Sequence, residues 1–370
     1  MIDPRVEKLA DVLVNYCTDV KKGQQVLIQG EMNAQPLLMA IYRRVLANGA
    51  HPFMLPIFDG YVYTFLKNAS EEQLSFIGEP YRYFFEKFDT RFRIVSDSNP
   101  KEMTNIEPEK MVVYGKAYGE LMNTMLERAA KGEYHWTVAI YPSSAHAMEA
   151  NMSLEEYENF VYSACLPDME DPIGHWKKVS AYQAKLIRWL EGRKTIHVVG
   201  KETDLRMRID GRPFINCDGK ENMPDGEIFT SPIEDSMEGY VYYSYPAIYN
   251  GREVSGIRLQ FEKGKVVKAT ADKNEEFLIK TLDTDEGARY VGEWAIGTNY
   301  AIDRFTGEIL FDEKIGGSFH CAVGTGFPES GSHNRSDIHW DMICDMRDGG
   351  EIWVDDILFH KDGKFVVDLD

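Results

Sequence analysis

The segment QVLIQGEMNAQPLLMAIYRRVLANGAHPFMLPIF, residues 25–58, contains a strand, a helix and a second strand in immediate succession. It opens with QVLIQ, a short run with β-branched side chains that Gly30 ends. Apolar residues then return at helical spacing over 36–46, and Asn48-Gly49 ends this helix before the second strand at 51–58. This order predicts a parallel βαβ unit.

The same alternation continues on both sides of this segment. The further elements predicted are a helix at 6–13, a strand at 93–95, a helix at 121–130, a strand at 135–141 and a helix from Ser153. We therefore predict an N-terminal α/β domain with a mostly parallel sheet over residues 1–190. A helix at 175–190 is expected to bridge this domain and the rest of the chain.

The character of the sequence changes near Thr195, where short β-rich segments begin to follow one another, separated by Gly, Asn and Asp. They are predicted as strands at 196–199, 204–209, 226–231, 240–245, 256–261, 266–267, 317–323, 351–354 and 364–367. One helix, near 274–282, is inserted among them. The pattern predicts a C-terminal β-rich, largely antiparallel domain over residues 191–370, so the fold class is α/β followed by α+β.

The composition excludes several classes of partner. The 370 residues carry 41 basic and 60 acidic side chains, a net charge of −19 that repels a nucleic acid. No apolar run approaches the roughly 20 residues that a membrane span requires. The five cysteines contain no CxxC pair, and the charged N-terminus lacks a secretory signal, so we expect a cytoplasmic location.

The peptide SDIHWDM, residues 336–342, alternates polar and apolar side chains. In a strand, Asp337, His339 and Asp341 share one face, and the apolar residues between them pack into the core. An imidazole and a carboxylate two residues apart on that face can bind the same cation. The alternative is a solvated polar face with a hydrogen-bonded histidine.

Three further residues are candidate ligands. His320 lies among small residues in GGSFHCAVG, and Glu227 and Glu293 each follow a glycine, in GEIFTSP and GARYVGE. A buried carboxylate is costly unless a cation or hydrogen bonds compensate it. Arg289 is an alternative partner for Glu293, and a hydrogen-bonded core position is the alternative for His320. Together with His339 and Asp341, these residue types match what two neighbouring divalent ions require.

In these motifs the chain resembles the thermophilic aminopeptidase family of dinuclear metallopeptidases, which includes aminopeptidase T, aminopeptidase S and PepS. GEIFTSP, GARYVGE, the His320 strand and SDIHWD occur in the family's order, and the resemblance covers nearly the whole chain. It implies two divalent ions, zinc or cobalt with manganese as a third choice. The ligands that it implies are Glu227, Glu293, His320, His339 and Asp341. It also implies an N-terminal α/β domain, a C-terminal β-rich domain, a homodimer and short peptides as substrates.

The chain departs from the family at one position. A tyrosine that assists catalysis in the family follows the strand histidine by seven residues, and Phe327 takes its place here. Phenylalanine has no hydroxyl to donate, and the loss of one such donor typically costs about 10²–10³ in rate. The alternatives are a weakened or altered activity, or a substitute donor among His333, Tyr240, Tyr242 and Tyr290.

The leading hypothesis is a metal-dependent aminopeptidase that attacks short peptides with a bridging water, with Glu227 or Glu293 moving the proton to the leaving amine. One alternative is a mononuclear iron dioxygenase that cleaves dihydroxylated pyridine rings, with His320, His339 and Asp341 as its facial triad. Such a site has no use for the two glutamates. Another alternative, which Phe327 favours, is a catalytically weakened relative that binds peptides.

Overall fold

A computed structural model describes residues 3–369. The helices are α1 (Pro4–Val12), α2 (Gln35–Ala47), α3 (Tyr61–Asn68), α4 (Glu71–Ser75), α5 (Glu79–Lys87), α6 (Pro108–Ala130), α7 (Ser144–Glu149), α8 (Leu154–Cys165), α9 (Pro172–Leu190), α10 (Glu275–Leu282) and α11 (Ile309–Asp312). A π-helical turn, Leu13–Cys17, continues α1. Within the described range, no helix combines the length and the apolar character needed to cross a membrane.

The strands alternate with the helices at first and then follow one another. They are β1 (Gln25–Glu31), β2 (His51–Ile57), β3 (Thr90–Val95), β4 (His135–Ile140), β5 (Thr195–Gly200), β6 (Thr203–Arg208), β7 (Ile215–Cys217), β8 (Asn222–Met223), β9 (Glu227–Thr230), β10 (Glu238–Tyr242), β11 (Ala247–Tyr249), β12 (Arg252–Val254), β13 (Arg258–Glu262), β14 (Lys265–Thr270), β15 (Val291–Gly297), β16 (Ser318–Gly324), β17 (His339–Asp345), β18 (Glu351–Val354), β19 (Ile357–Lys361) and β20 (Lys364–Phe365).

The chain divides into two units. One contains the residues up to Ile173 together with Gly219–Pro224, and the other contains Gly174–Asp218 and the residues from Asp225 onward. Nearly all of α9 therefore belongs to the second unit, whereas the sequence-based boundary at residue 190 assigns this helix to the first. Where the folding domains separate stays a prediction.

The sheet of the first unit has the strand order β2-β1-β3-β4-β8, and every pair in it is parallel. The predicted βαβ unit is present as β1, α2 and β2, with Ile28 at the centre of β1 fully buried. A parallel sheet with intervening helices confirms the α/β prediction for this part of the chain. The three short helices α3, α4 and α5, between β2 and β3, were not predicted.

The second unit is built from antiparallel sheets, as the C-terminal sequence predicts. A five-stranded sheet has the order β17-β16-β15-β9-β7, and an eight-stranded sheet has the order β14-β13-β10-β6-β5-β18-β19-β20. One hydrophobic core contains Trp294, Phe319 and Trp340 of the five-stranded sheet and Val198 and Leu205 of the eight-stranded sheet. Because side chains alternate along a strand, one face of the five-stranded sheet supplies this core and the other face carries the polar residues.

Candidate metal centre

The five predicted ligands lie on four neighbouring strands of the five-stranded sheet. Glu227 is on β9, Glu293 on β15, His320 on β16, and His339 and Asp341 are on β17. The strand register aligns Glu293 with Ala322 and Ala322 with Asp341, and it aligns Gly324 with His339. The small residues on β16 leave the space between these side chains open.

Two glycines shape the strands that carry the glutamates. The register between β15 and β16 shifts between Val291 and Glu293, which marks a β-bulge at Gly292. A Cβ atom at Gly292 would lie 2.3 Å from the carbonyl oxygen of Thr325, so only glycine fits there. Gly226, which precedes Glu227, also requires glycine. Its φ is +119°, and a Cβ atom added there would lie 2.8 Å from Cβ of Asn299. Bulges redirect side chains, and this one directs Glu293 into the cluster.

Two carboxylates each face both histidines. Glu293 places Oε1 3.5 Å from Nε2 of His320 and Oε2 3.5 Å from Nε2 of His339. Asp341 likewise places Oδ1 3.8 Å from Nε2 of His320 and Oδ2 3.7 Å from Nε2 of His339. Of the two histidines, Glu227 faces only His320, with its Oε2 3.6 Å from Nε2 of that histidine. Imidazole and carboxylate ligand atoms that lie this close together can hold a divalent cation.

Within residues 3–369, several buried atoms of the cluster have no hydrogen-bond partner, among them Oε2 of Glu227, Nε2 of His320 and Oδ1 of Asp341. A buried polar atom without a partner costs about 1–3 kcal/mol. In contrast, His339 contacts the carbonyl oxygen of Thr325 through Nδ1 at 2.9 Å, which orients Nε2 toward the carboxylates. The oxygen and imidazole donors therefore fit divalent ions such as zinc.

The titration behaviour of the cluster follows from its dense negative charge. Burial raises the pKa of Glu227 to about 8, although Lys314 and His320 oppose the shift. Burial alone lowers the pKa of His320, but Glu293 and Glu227 outweigh it and raise that pKa to about 10. Burial therefore dominates the pKa of the carboxyl group of Glu227, whereas the neighbouring carboxylates dominate that of the imidazole of His320.

Two residues that the sequence analysis missed also reach the cluster. Glu313 has an oxygen that can share a cation with His320 and Asp341. The neighbouring Lys314 is fully buried and places Nζ 2.7 Å from Oε1 of Glu227. Both follow the short helix α11, and the only signal in the sequence is the run Asp312-Glu313-Lys314 ahead of two glycines.

Asp337, Arg289 and Phe327 are the other residues near the predicted ligands that the sequence singles out. Asp337 lies before β17 and donates its backbone N–H to Asp285, so it is not part of the strand that carries His339 and Asp341. Arg289 pairs with Asp283 at 2.7 Å and not with Glu293, so the structural alternative for that glutamate is wrong. The ring of Phe327 lies 5.2 Å from that of His339.

The candidate substitute donors lie at several places in the second unit. Tyr240 and Tyr242 are on β10, in the eight-stranded sheet. Tyr290 directly precedes β15, and His333 donates its backbone N–H to Glu234. Replacement of the family tyrosine by one of these residues stays a prediction.

The chain is similar in sequence to a family of known proteins. Residues 2–365 match the family described as thermophilic metalloprotease (M29). Aminopeptidase T from Thermus thermophilus is 28% identical over 88% of this chain and 85% of that protein. Aminopeptidase PepS from Streptococcus thermophilus is 26% identical over 98% of this chain and 95% of that protein.

Solved structures share the fold. Wild-type AmpT from Thermus thermophilus has a TM-score of 0.86 at 24% identity, and the match covers 99% of this chain and 100% of that one. 2,5-Dihydroxypyridine dioxygenase from Pseudomonas putida has a TM-score of 0.60 at 14% identity, with 98% and 97% covered. At these identities both likenesses establish the architecture alone.

Proposed function

Because the chain belongs to the thermophilic metalloprotease (M29) family, whose members are metal-dependent hydrolases, we propose that it is an aminopeptidase that removes N-terminal residues from short peptides. The relatives named aminopeptidase T and aminopeptidase PepS support this reaction. The −19 charge is compatible with a substrate that carries a protonated amine.

The single observation that carries the proposal is the division of carboxylate oxygens between two histidines. Glu227, Glu293 and His320 form one group able to hold a cation, and Glu293, His339 and Asp341 form a second. We name these groups the first position and the second position. Glu293 belongs to both, which supports two adjacent ions with a bridging water rather than a single ion.

When bound, two divalent ions would lower the pKa of a bridging water and polarise the substrate carbonyl. The protein must then move a proton from the attacking water to the leaving amine. Glu227 and Glu293 are buried, and each directs at least one carboxylate oxygen toward a histidine. Glu313 lies beside the cluster, and its side chain is 16% exposed. Glu227 and Glu293 stay candidates for this proton transfer, and we propose Glu313 as a third: it would accept the water proton as the C–O bond forms and deliver it to nitrogen as the C–N bond breaks.

The finer properties of the enzyme follow the family resemblance. We propose zinc or cobalt as the ions, with manganese as the third choice, because imidazole and carboxylate ligands suit these metals. We also propose that the chain works as a homodimer in the cytoplasm.

Removal and return of metal test the proposal. Protein stripped with a chelator should lose the hydrolysis of leucine p-nitroanilide and recover it with zinc or cobalt. Unchanged activity after stripping would overturn the mechanism. Elemental analysis should find two ions per chain, whereas one iron per chain would favour the ring-cleaving dioxygenase.

A matched pair of variants distinguishes ligands from other histidines. His339→Ala should abolish hydrolysis because it removes a ligand of the second position. His197→Ala should retain hydrolysis, because His197 lies on β5 of the eight-stranded sheet and pairs with Asp204 at 2.9 Å. Retention of both metal and activity in His339→Ala would remove this residue from the site.

A further inference from the structure

Lys314 is a fully buried lysine among carboxylates. Its Nζ atom lies 2.7 Å from Oε1 of Glu227, 2.5 Å from Oε1 of Glu313 and 3.8 Å from Oδ1 of Asp225. Its backbone is also anchored, since its N–H donates to Phe311 and its carbonyl accepts from Asn299. The ammonium is therefore a fixed positive charge inside the candidate metal centre.

This charge acts on the two cation positions unequally. Glu227 belongs to the first position only, and the ammonium already occupies its Oε1, so Oε2 is the oxygen left for an ion. The second position lacks such a neighbour: among residues 3–369, neither Glu293 nor Asp341 forms an ion pair with a lysine or an arginine.

The lysine also contacts another group of residues that includes Glu227 and could hold a cation. Cys217, Asp225 and Glu227 form a third group with metal-binding geometry, and the ammonium contacts two of its three members. A divalent ion at the first position would share Glu227 with this ammonium. Like charges separated by one carboxylate repel strongly where water is excluded.

We propose that Lys314 is a positioning residue that makes the two cation positions unequal, so that the second position binds a divalent ion more tightly than the first. This inference rests on the proposed two-ion site. It adds a prediction that the ligand set alone does not make, namely the order in which the positions fill and the residue that causes it.

Titration of the metal-free protein with cobalt tests the proposal, with visible absorption and elemental analysis as readouts. Two classes of binding are expected, with dissociation constants at least about tenfold apart. His320→Ala should remove the weaker class, and His339→Ala should remove the tighter class. Two ions of equal affinity would overturn the inference and leave the proposed function intact, whereas one ion at saturation would overturn both.

Lys314→Met tests the cause directly. Loss of the ammonium should tighten the weaker class about tenfold or more and change the tighter class less, because Glu293 belongs to both positions but Glu227, which pairs with the ammonium, belongs only to the first. Lys361→Met is the matched control, because it removes the same charge from an exposed ion pair with Glu351 on the eight-stranded sheet. An unchanged or weakened first position in a folded Lys314→Met protein would overturn the proposal. If this variant does not fold, the two histidine variants decide the question.

Discussion

Two fully buried histidines in the second unit have opposite environments. His320 lies on β16 of the five-stranded sheet among three carboxylates, which raise its pKa to about 10 against the effect of burial. His360 lies on β19 of the eight-stranded sheet against the ring of Phe365, and burial lowers its pKa to about 4. Burial is the same in both cases, so the neighbouring charges distinguish a candidate ligand from a core histidine.

The largest expected difference between the two regions concerns activity. His320→Ala should lower kcat/KM more than about 100-fold, because partners that only orient metal ligands already contribute 10–100-fold. His360→Ala should retain kcat/KM near the wild-type value at temperatures where it is folded, although it leaves a cavity. Steady-state kinetics of both variants test this prediction. Equal losses of kcat/KM in the two variants would contradict the distinction between a candidate ligand and a core histidine.

The second expected effect is that His360 makes the free energy of unfolding depend on pH. The pKa of His360 is lower in the folded chain, about 4, than in the unfolded chain, near 6.5, so the unfolded state binds the proton more readily. The contribution of His360 to the free energy of unfolding should therefore be constant above pH 6.5. It should decrease by up to about 3 kcal/mol as the pH falls to 4.

His360→Leu isolates this contribution, because the variant cannot take up the proton. Urea unfolding of both proteins at several pH values measures it as the difference between the two curves. Parallel curves for wild type and variant between pH 7 and 4 would show that His360 does not titrate as its burial implies.

The smallest effect concerns the aromatic ring beside each histidine. Phe327 lies 5.2 Å from His339, and Phe365 lies 5.1 Å from His360. Phe327 is 38% exposed, so its ring can carry an added hydroxyl without burying it in the core. Phe327→Tyr should raise kcat by about tenfold, because it restores a hydrogen-bond donor beside the candidate metal centre. We expect less than the full effect of about 10²–10³ because water competes for a hydroxyl on an exposed ring.

Phe365→Tyr is the control for that substitution. It adds the same hydroxyl beside a histidine that has no part in the reaction, and kcat should not change. If Phe327→Tyr also leaves kcat unchanged, another donor already serves in place of the family tyrosine.

The sequence predicted elements best where the apolar repeat was clear. The βαβ unit at 25–58 and the helix near 274–282 are present with nearly the predicted bounds. By contrast, α6 begins at Pro108, well before the predicted start at residue 121. Of its 23 residues, only Ala117, Leu121 and Met125 are buried, so the helical repeat was visible in one part of it.

The candidate site shows the same division. The alternation in SDIHWD predicted that His339 and Asp341 share a face, and β17 confirms this for the pair while Asp337 lies outside the strand. Glu313 and Lys314 escaped prediction because no local pattern links them to Glu227, which lies 87 residues earlier in the chain than Lys314.

Local periodicity was enough to predict most of the longer strands and the side chains that face away from the core, because a strand's two-residue period is a local property, but it missed, among others, β7, β11, β12 and β19. The sequence also contained the ligand types that suit divalent ions. Folding of the whole chain placed the four strands side by side and turned Glu293 toward both histidines. It also decided that a lysine enters from a loop, because these contacts depend on strand register and chain return over distances that local periodicity does not encode.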